Sequence, residues 1–416
     1  MTGPAIWIDA TMGDRERRVF GMTLLERLLR GVREAGVGPP RVEVALPDRA
    51  PEPEIPADLA QALPIHVTRG AAPAGERLLG ACAAAGGRPL LALSADSVVD
   101  PRLIAHLARS VAHLAFLEQG DGRGAALRLG PGAAGPEPAA RSVREIAERA
   151  LARGDVKPLT EGEFDGYVRK LRRQLPPYLL GVGDPEAVTR VERFLFWSNY
   201  KGSTDFMTRY VYPPLVWLLV RPLARMRVHP NWITGLDWVA ALGAIPLFAA
   251  GAWVPGLALA YLMSLMDSVD GKLARLTYTS SWLGNLLDHG LDVVHPPLWY
   301  LAWGLALGGG NTSSAPFQAS LVMLGLYALD RIVTLVFRRR TGVSIHGATP
   351  VDVRVRTFIS RRNVNLPFFT AALAWDALAG TATAAPAVFY AIVAWQALSL
   401  AWHGQRLFAF WSTRIR

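Results

Sequence analysis

Long apolar stretches dominate the second half of the chain. A helix of about twenty apolar residues crosses the roughly 30 Å hydrocarbon layer of a bilayer, and several windows come near that length. They are Trp232 to Gly251, Val254 to Leu276, Leu283 to Leu307, Phe317 to Phe337, Leu366 to Thr381 and Pro386 to Trp402. The pattern predicts an all-α bundle of six transmembrane helices within residues 229–416.

The joints between these windows differ in charge. Residues 251–253, 308–316 and 382–385 contain no Lys or Arg, whereas the other joints and both flanks contain nearly all of them. Positive residues collect on the cytoplasmic side of membrane proteins. We therefore expect a multi-pass protein of the cell inner membrane with both termini in the cytosol. The joint between the second and third windows then faces the cytosol as well.

The first half of the chain has the mixed composition of a cytosolic domain. Strand-like runs at 5–9, 41–46 and 89–93 are separated by helical runs at 24–35, 102–114 and 142–152. This alternation predicts an α/β domain with a mainly parallel sheet over residues 1–190. The Gly- and Pro-rich stretch 122–140 reads as a loop or a flexible hairpin. The first residues lack the basic and apolar regions of a cleavable signal, which also predicts a cytosolic domain.

Residues 191–228 connect the two halves. From Asp205 to Asn231 the chain mixes aromatic and aliphatic residues with several arginines, and Pro213 and Pro214 interrupt the apolar part. We interpret this segment as a linker followed by a juxtamembrane helix that lies in the plane of the interface and contacts anionic lipid.

The net charge of +10 raises the question of a nucleic-acid partner. The arginines gather at the ends of the apolar windows, where a membrane protein meets the cytosol, so we expect no nucleic acid. The single cysteine, Cys82, excludes an internal disulfide and a multi-cysteine metal site.

The joint between the second and third windows is rich in carboxylates. On one helix, the residues that share an arc of about 140° are Asp267, Asp270, Gly271, Ala274 and Arg275. On the next helix, the residues that stand one turn apart are Gly284, Asp288 and Asp292. Two facing helices would thus present four carboxylates to one cleft.

Such a cluster is costly near a membrane unless a cation compensates it. Oxygen ligands without His or Cys suit magnesium, manganese or calcium better than zinc, and two ions about 4 Å apart are a recurrent device for displacing phosphate oxygens. Gly271, Ala274 and Gly284 would leave room for a flat or bulky group, and Arg275 could carry the charge of a diphosphate. The alternative is that the aspartates cap helices and pair with nearby arginines.

These residues form the pattern D-x2-D-G-x2-A-R-x8-G-x3-D-x3-D, which resembles the signature of the CDP-alcohol phosphotransferase family at every defined position. The resemblance covers residues 228–402 and implies a dimeric, six-span membrane enzyme. Such an enzyme transfers a phosphate-linked alcohol from a CDP-alcohol to an acceptor hydroxyl and releases CMP. We expect two ions of Mg²⁺, or of Mn²⁺, as cofactors.

The same resemblance implies roles for the individual residues. Asp267, Asp270 and Asp288 look like metal ligands, and Asp292 looks like the general base that also reaches the second metal. The residues that look like the CDP pocket are Gly271, Ala274, Arg275 and Gly284. Asn231 and Thr234 resemble a family feature near the nucleotide, although they also read as an ordinary helix cap.

The acceptor side of the site has weaker signals. Arg331 lies inside the fourth window, while Arg361 and Arg362 precede the fifth. These arginines could bind the phosphate of an acceptor such as inositol phosphate or glycerol phosphate. Alternatively, Asp330 and Arg331 pair with each other, and Arg361 and Arg362 only anchor the cytosolic face.

Segments 21–37 and 90–107 resemble parts of a nucleotidyltransferase domain, and Asp96 stands where such enzymes keep a metal ligand. The glycine-rich phosphate loop expected after the first strand is replaced by DATMGDRERR, residues 9–18. Backbone N–H groups could not cradle a triphosphate there in the usual way. We therefore expect a degenerate domain with a structural, regulatory or dimer-forming role.

The leading hypothesis is a phospholipid-synthesising transferase that moves phosphatidyl from CDP-diacylglycerol to a small polyol phosphate. A soluble donor such as CDP-inositol is the alternative. A cation-binding transporter is a more distant alternative. Transporters favour interrupted helices and a midplane site rather than a carboxylate cluster at one face of the membrane.

Overall fold

The computed structural model describes residues 3–39, 41–118, 124–168 and 171–414. The chain divides into two compact units. The first contains Met1–Val168, Gln174–Ser198 and Leu276–Tyr278, and the second contains Arg169–Arg173, Asn199–Arg275 and Thr279–Arg416.

The strands lie in the first half of the chain. They are β1 (Ala5–Asp9), β2 (Arg18–Val19), β3 (Met22–Thr23), β4 (Val42–Leu46), β5 (Ile65–Arg69), β6 (Leu90–Ser94), β7 (Ser97–Val99), β8 (Leu114–Leu117), β9 (Ala125–Leu129), β10 (Lys157–Pro158), β11 (Tyr167–Val168), β12 (Arg173–Gln174) and β13 (Leu179–Gly181). The helices among them are α1 (Leu24–Glu34), α2 (Ala57–Ala62), α3 (Ala74–Ala84), α4 (Pro101–Arg109), α5 (Val143–Arg153) and α6 (Pro185–Ser198).

The main sheet of the first unit has the order β10-β8-β9-β6-β1-β4-β5. Its β1–β4, β1–β6, β4–β5 and β8–β10 pairs are parallel, whereas β9 runs antiparallel to β6 and β8. Strand β1, AIWID, is buried along its whole length because helices cover both faces of a largely parallel sheet. Ile6 and Ile8 join one core cluster and Trp7 joins the other, as the alternation of strand side chains requires. The predicted α/β fold is confirmed.

Two sequence-based expectations for this unit were wrong. Residues 125–129, predicted to be part of a loop or flexible hairpin, form β9, which is buried throughout. Alanine is a poor strand former, but packing against both neighbours overrides that preference. The helix predicted to run to Leu114 ends at Arg109, and Leu114 begins β8.

The segment that replaces the expected phosphate loop is tied down within the first unit. Asp9 accepts hydrogen bonds from the Thr11 N–H and hydroxyl and from the Val143 N–H, and burial raises the pKa of this carboxyl. Gly13 has a φ of 75°, and a Cβ there would lie 2.6 Å from the Cβ of Asp96. The backbone of the segment therefore lies directly on Asp96.

The second half of the chain is helical. Its helices are α7 (Tyr212–Arg225), α8 (Pro230–Ala249), α9 (Trp253–Leu276), α10 (Trp282–Leu307), α11 (Ala315–Thr341), α12 (Pro350–Phe358), α13 (Arg362–Ala379) and α14 (Ala384–Arg414). Each predicted apolar window coincides with one long helix. Within the described residues, three helices are long and apolar enough to cross a membrane, namely α8, α11 and α14. Six spans therefore remain a prediction. Charged residues of the signature, such as Asp267, Asp270 and Arg275, interrupt the apolar character of α9.

The core of the second unit is aromatic. Trp303 of α10 stacks on Phe369 of α13 with ring centroids 4.0 Å apart, and Phe248 of α8 meets Trp303 edge to face. Pro213 and Pro214 do not interrupt the juxtamembrane segment, because they occupy the first turn of α7, where a missing N–H costs nothing.

Candidate active site

Two aspartates of the signature converge on one arginine. Arg362, the first residue of α13, places its Nη2 2.8 Å from Asp267 Oδ2 and 3.1 Å from Asp292 Oδ1. Its Nη1 donates to Nε2 of His295 at 2.7 Å, and its Nε donates to Asn363 Oδ1 at 3.2 Å. Only 10% of the Arg362 side chain is exposed, and all three guanidinium nitrogens make these contacts. Arg362 is therefore not an exposed anchor on the membrane surface.

Asp270 faces the start of α8. Its Oδ2 accepts a hydrogen bond from the Thr234 hydroxyl at 2.6 Å, and both side chains are buried. A hydrogen bond to the charged form stabilises a carboxylate that burial would otherwise penalise. Thr234 thus orients Asp270, in addition to lying in the second turn of its own helix.

The beginnings of α8 and α10 lie close together. Ser281 caps α10 by accepting from the Gly284 N–H at 3.0 Å, and its hydroxyl donates to Asn231 Oδ1 at 3.3 Å. A Cβ on Gly284 would lie 2.6 Å from that Asn231 oxygen and 3.0 Å from the Ser281 hydroxyl. A side chain at position 284 would therefore force the Asn231 and Ser281 side chains to move.

Gly284→Ala is expected to displace both Asn231 and Ser281. If Gly284 borders a CDP pocket, as the resemblance of the signature implies, the KM for a CDP donor should rise about tenfold, the equivalent of roughly 1.4 kcal/mol, which is within the usual cost of overpacking. Steady-state CMP release at varied donor concentration measures it. Gly290→Ala is the matched control, since among the described atoms its Cβ would meet only Trp238, at an ordinary 3.8 Å. Equal KM values for the two variants would contradict the assignment of Gly284 to the donor pocket.

The remaining signature residues lie on the same two helices. Gly271 adjoins the Arg275 guanidinium, because a Cβ there would be 3.2 Å from Nη1. Ala274 lies one turn beyond Asp270 on α9. Asp288 lies on α10 one turn before Asp292, but its side chain is outside the described part of the structure.

The other arginines predicted for the acceptor have different surroundings. Arg331 of α11 donates to the main-chain carbonyl of Asp292 at 3.0 Å. The expected alternative, a pair between Asp330 and Arg331, was wrong: Asp330 bonds to Nδ1 of His403 at 2.5 Å, since adjacent residues of a helix do not face each other. Arg361 has its Nη1 3.7 Å from the buried Asp205.

The donor set fits a hard divalent cation. Asp267 and Asp292 each direct one oxygen at the same positively charged nitrogen, Nη2 of Arg362. Carboxylate oxygens without thiolates suit Mg²⁺ or Mn²⁺. Among the described side chains, no three His, Cys, Asp or Glu residues gather as a ready ligand set. Asp288, the fourth carboxylate of the signature, is not among the described side chains.

Residues 227–402 match the family model described as CDP-alcohol phosphatidyltransferase. This part of the chain is a CDP-alcohol phosphatidyltransferase domain. The matched range begins just before α8 and contains all the signature residues.

Two curated relatives resemble the chain. A bifunctional IPC transferase and DIPP synthase of Thermococcus kodakarensis is 30% identical over 144 residues, which are 31% of this chain and 33% of that protein. A phosphatidylinositol phosphate synthase of Mycobacterium marinum is 28% identical over 111 residues, which are 25% of this chain and 47% of that protein. The chain thus matches less than half the length of these relatives.

A solved structure of CMP:2-keto-3-deoxy-manno-octonic acid synthetase with CTP aligns with 13% identity and a TM-score of 0.28, over 47% of this chain and 99% of that one. The α/β fold of the first unit is assigned from the strand order of its own seven-stranded sheet.

Sequence reasoning about the CDP-alcohol phosphatidyltransferase domain missed His295 and Tyr327. His295 is fully buried and accepts from Arg362, while Tyr327 donates to the Asp292 carbonyl at 2.8 Å. Their spacing was a usable signal: His295 stands one turn beyond Asp292, and Tyr327 stands one turn before Arg331.

Proposed function

We propose that the chain is an integral membrane phosphotransferase that transfers phosphatidyl from CDP-diacylglycerol to the hydroxyl of a small polyol phosphate and releases CMP. The observation that carries the proposal is the convergence of Asp267 and Asp292 on Arg362, within a CDP-alcohol phosphatidyltransferase domain that carries the complete signature. Cations stabilise the charge that builds up on a diphosphate, and here an arginine lies beside carboxylates that could hold metal ions.

The chemical step is a displacement at phosphorus. The acceptor hydroxyl oxygen forms a bond to the phosphorus that carries the alcohol, the bond from that phosphorus to the CMP oxygen breaks, and CMP leaves with the electron pair. Asp292 accepts the hydroxyl proton as general base. Arg275 binds the diphosphate, and Gly271, Ala274, Gly284, Asn231 and Thr234 border the donor.

The residues that would hold two ions of Mg²⁺ or Mn²⁺ are Asp267, Asp270, Asp288 and Asp292. Bound there, the ions would neutralise charge that develops on the diphosphate oxygens.

Inositol phosphate is the acceptor that we favour, with glycerol phosphate as the next candidate. Support comes from the M. marinum relative, whose name is phosphatidylinositol phosphate synthase. In this chain, Arg362 lies at the aspartates and Arg361 adjoins it. An arginine beside the general base would attract an acceptor phosphate and hold the acceptor while its hydroxyl approaches phosphorus.

The setting of the reaction is part of the proposal. The enzyme is a homodimer with six spans, and its termini and active site face the cytosol. The first unit has a structural or regulatory role, because Asp9 and Gly13 lie in a segment committed to contacts with Thr11, Val143 and Asp96.

A donor panel tests the proposal. The purified full chain with Mg²⁺ is offered CDP-diacylglycerol or CDP-inositol, each with inositol phosphate, glycerol phosphate or no acceptor, and CMP and lipid products are quantified. We expect CMP only with CDP-diacylglycerol plus a polyol phosphate. If CDP-inositol were the only donor to yield CMP, the soluble donor would replace CDP-diacylglycerol in the proposal. If neither donor yielded CMP, the proposed enzymatic activity would be refuted and a cation transporter would be favoured.

A further inference from the structure

A proline occupies the position in α10 whose N–H would normally bond to the main-chain carbonyl of Asp292. In an α-helix the carbonyl of residue i accepts from the N–H of residue i+4, and four residues after Asp292 the chain has Pro296, which lies inside α10. Proline has no N–H. The sequence itself therefore deprives the Asp292 carbonyl of its helical donor.

Two side chains of α11 supply donors instead. The Tyr327 hydroxyl lies 2.8 Å from the Asp292 carbonyl oxygen, and Arg331 Nη2 lies 3.0 Å from the same oxygen. A carbonyl oxygen has two lone pairs, so both are used. A carbonyl left without a donor in an apolar helical bundle is costly, which gives the two bonds a reason to persist.

The two donors also hold each other. Arg331 Nη2 lies 2.5 Å from the Tyr327 hydroxyl, and the guanidinium carbon lies 4.8 Å from the centre of the tyrosine ring. Because the residues stand one turn apart on α11, they approach Asp292 from a single helix face.

We infer that Tyr327 and Arg331 are positioning residues for Asp292, which they hold by the main-chain carbonyl released by Pro296. This inference rests on the proposed function, in which Asp292 is the general base and a metal ligand. It also gives Arg331 a role other than binding the acceptor phosphate. The proline one turn beyond the base loosens α10 at that point. The two donors fix the rotation of α10 there so that the Asp292 carboxylate faces Asp267 and Arg362.

Kinetic constants distinguish positioning from substrate binding. For Tyr327→Phe we expect kcat for CMP release to fall about tenfold, and for Tyr327→Phe combined with Arg331→Met about a hundredfold, the scale of a misplaced catalytic group. KM for donor and acceptor should stay within about twofold. The matched control is Tyr261→Phe, which removes another interhelical tyrosine contact, from Tyr261 of α9 to Thr370 of α13 at 3.0 Å. Its kcat should stay at the wild-type value.

A second background tests the carbonyl itself. Pro296→Ala returns an N–H donor to the Asp292 carbonyl, so Tyr327→Phe should change kcat by less than about twofold in that background, against about tenfold with Pro296 present. An equal effect in both backgrounds would overturn the inference.

Metal affinity gives a readout that does not need turnover. The purified variants are titrated with Mn²⁺, and free Mn²⁺ is measured by electron paramagnetic resonance. The double variant should bind Mn²⁺ about tenfold more weakly, the usual scale for residues that orient a metal ligand. Tyr261→Phe should bind Mn²⁺ as tightly as the wild type. Unchanged Mn²⁺ affinity in the double variant, or a raised acceptor KM with normal kcat in Arg331→Met, would overturn the inference. A wild-type protein that binds Mn²⁺ but releases no CMP would refute the proposed function alone.

Discussion

Arg362→Met is expected to lower the rate of CMP release by about 10³-fold, the upper range for removing one charged stabiliser from an active site. The reason is that Arg362 neutralises Asp267 and Asp292 at 2.8 and 3.1 Å and adjoins the proposed acceptor site. Without it, two partly exposed carboxylates repel each other and the proposed acceptor phosphate loses its partner. Single-turnover CMP release at saturating donor measures the effect.

Arg362→Lys is the matched control for charge. Lysine keeps the positive charge but is a single point rather than a planar fork, and it cannot reach His295, Asp267 and Asp292 at once. We expect it to recover about tenfold of the lost rate, which corresponds to about 1.4 kcal/mol. If Arg362→Met turned over at the wild-type rate, Arg362 would be a structural tie between helices and nothing more.

Asp270→Asn is expected to lower CMP release by about 10³-fold, since Asp270 is a proposed metal ligand and loss of such a carboxylate removes several kcal/mol of transition-state stabilisation. Asp270 is buried and receives the Thr234 hydroxyl at 2.6 Å, so its position is well defined. Raising the Mg²⁺ concentration should restore part of the activity, because the defect lies in metal affinity. Initial rates across a Mg²⁺ titration measure both effects.

Thr234→Val separates the ligand from its support. Valine keeps the shape but removes the donor, and we expect Mg²⁺ affinity to fall about tenfold with kcat at saturating Mg²⁺ largely kept. In the Asp270→Asn background the same substitution should have no further effect, since the two groups act as one unit. Independent effects of the two substitutions would contradict the role of Thr234 in orienting Asp270.

The long helices of the second unit could be predicted from sequence because apolar windows of membrane length admit few other structures. Strand β1 was predicted equally well, since a short apolar run that ends at a turn is typical of a buried parallel strand. Strand β9 could not be predicted, because its buried alanines and Arg128 carry no strand preference. Arg128 stays buried by donating to the carbonyls of Val111 and Ala112, which only the folded hairpin brings near.

The signature residues could be selected from their spacing, because spacing on a helix fixes which side chains share a face. The partners of those residues could not. Arg362 reaches Asp292 from 70 positions further along the chain, so only the packing of α13 against α10 brings them together. Pro296 was visible in the sequence. Its consequence, that Tyr327 and Arg331 take over the Asp292 carbonyl, depends on the position of α11.

The most direct test of the account is Mg²⁺-dependent release of CMP from CDP-diacylglycerol by the purified full chain, compared with Asp292→Asn. With inositol phosphate as acceptor, we expect CMP and a phosphatidylated acceptor in equal amounts. Asp292→Asn should be slower by about 10³-fold, within the range for loss of a general base, and chelation of Mg²⁺ should stop the wild type. Equal CMP release by the two proteins, or release that does not depend on the divalent ion, would contradict the assignment of this aspartate cluster to phosphotransfer.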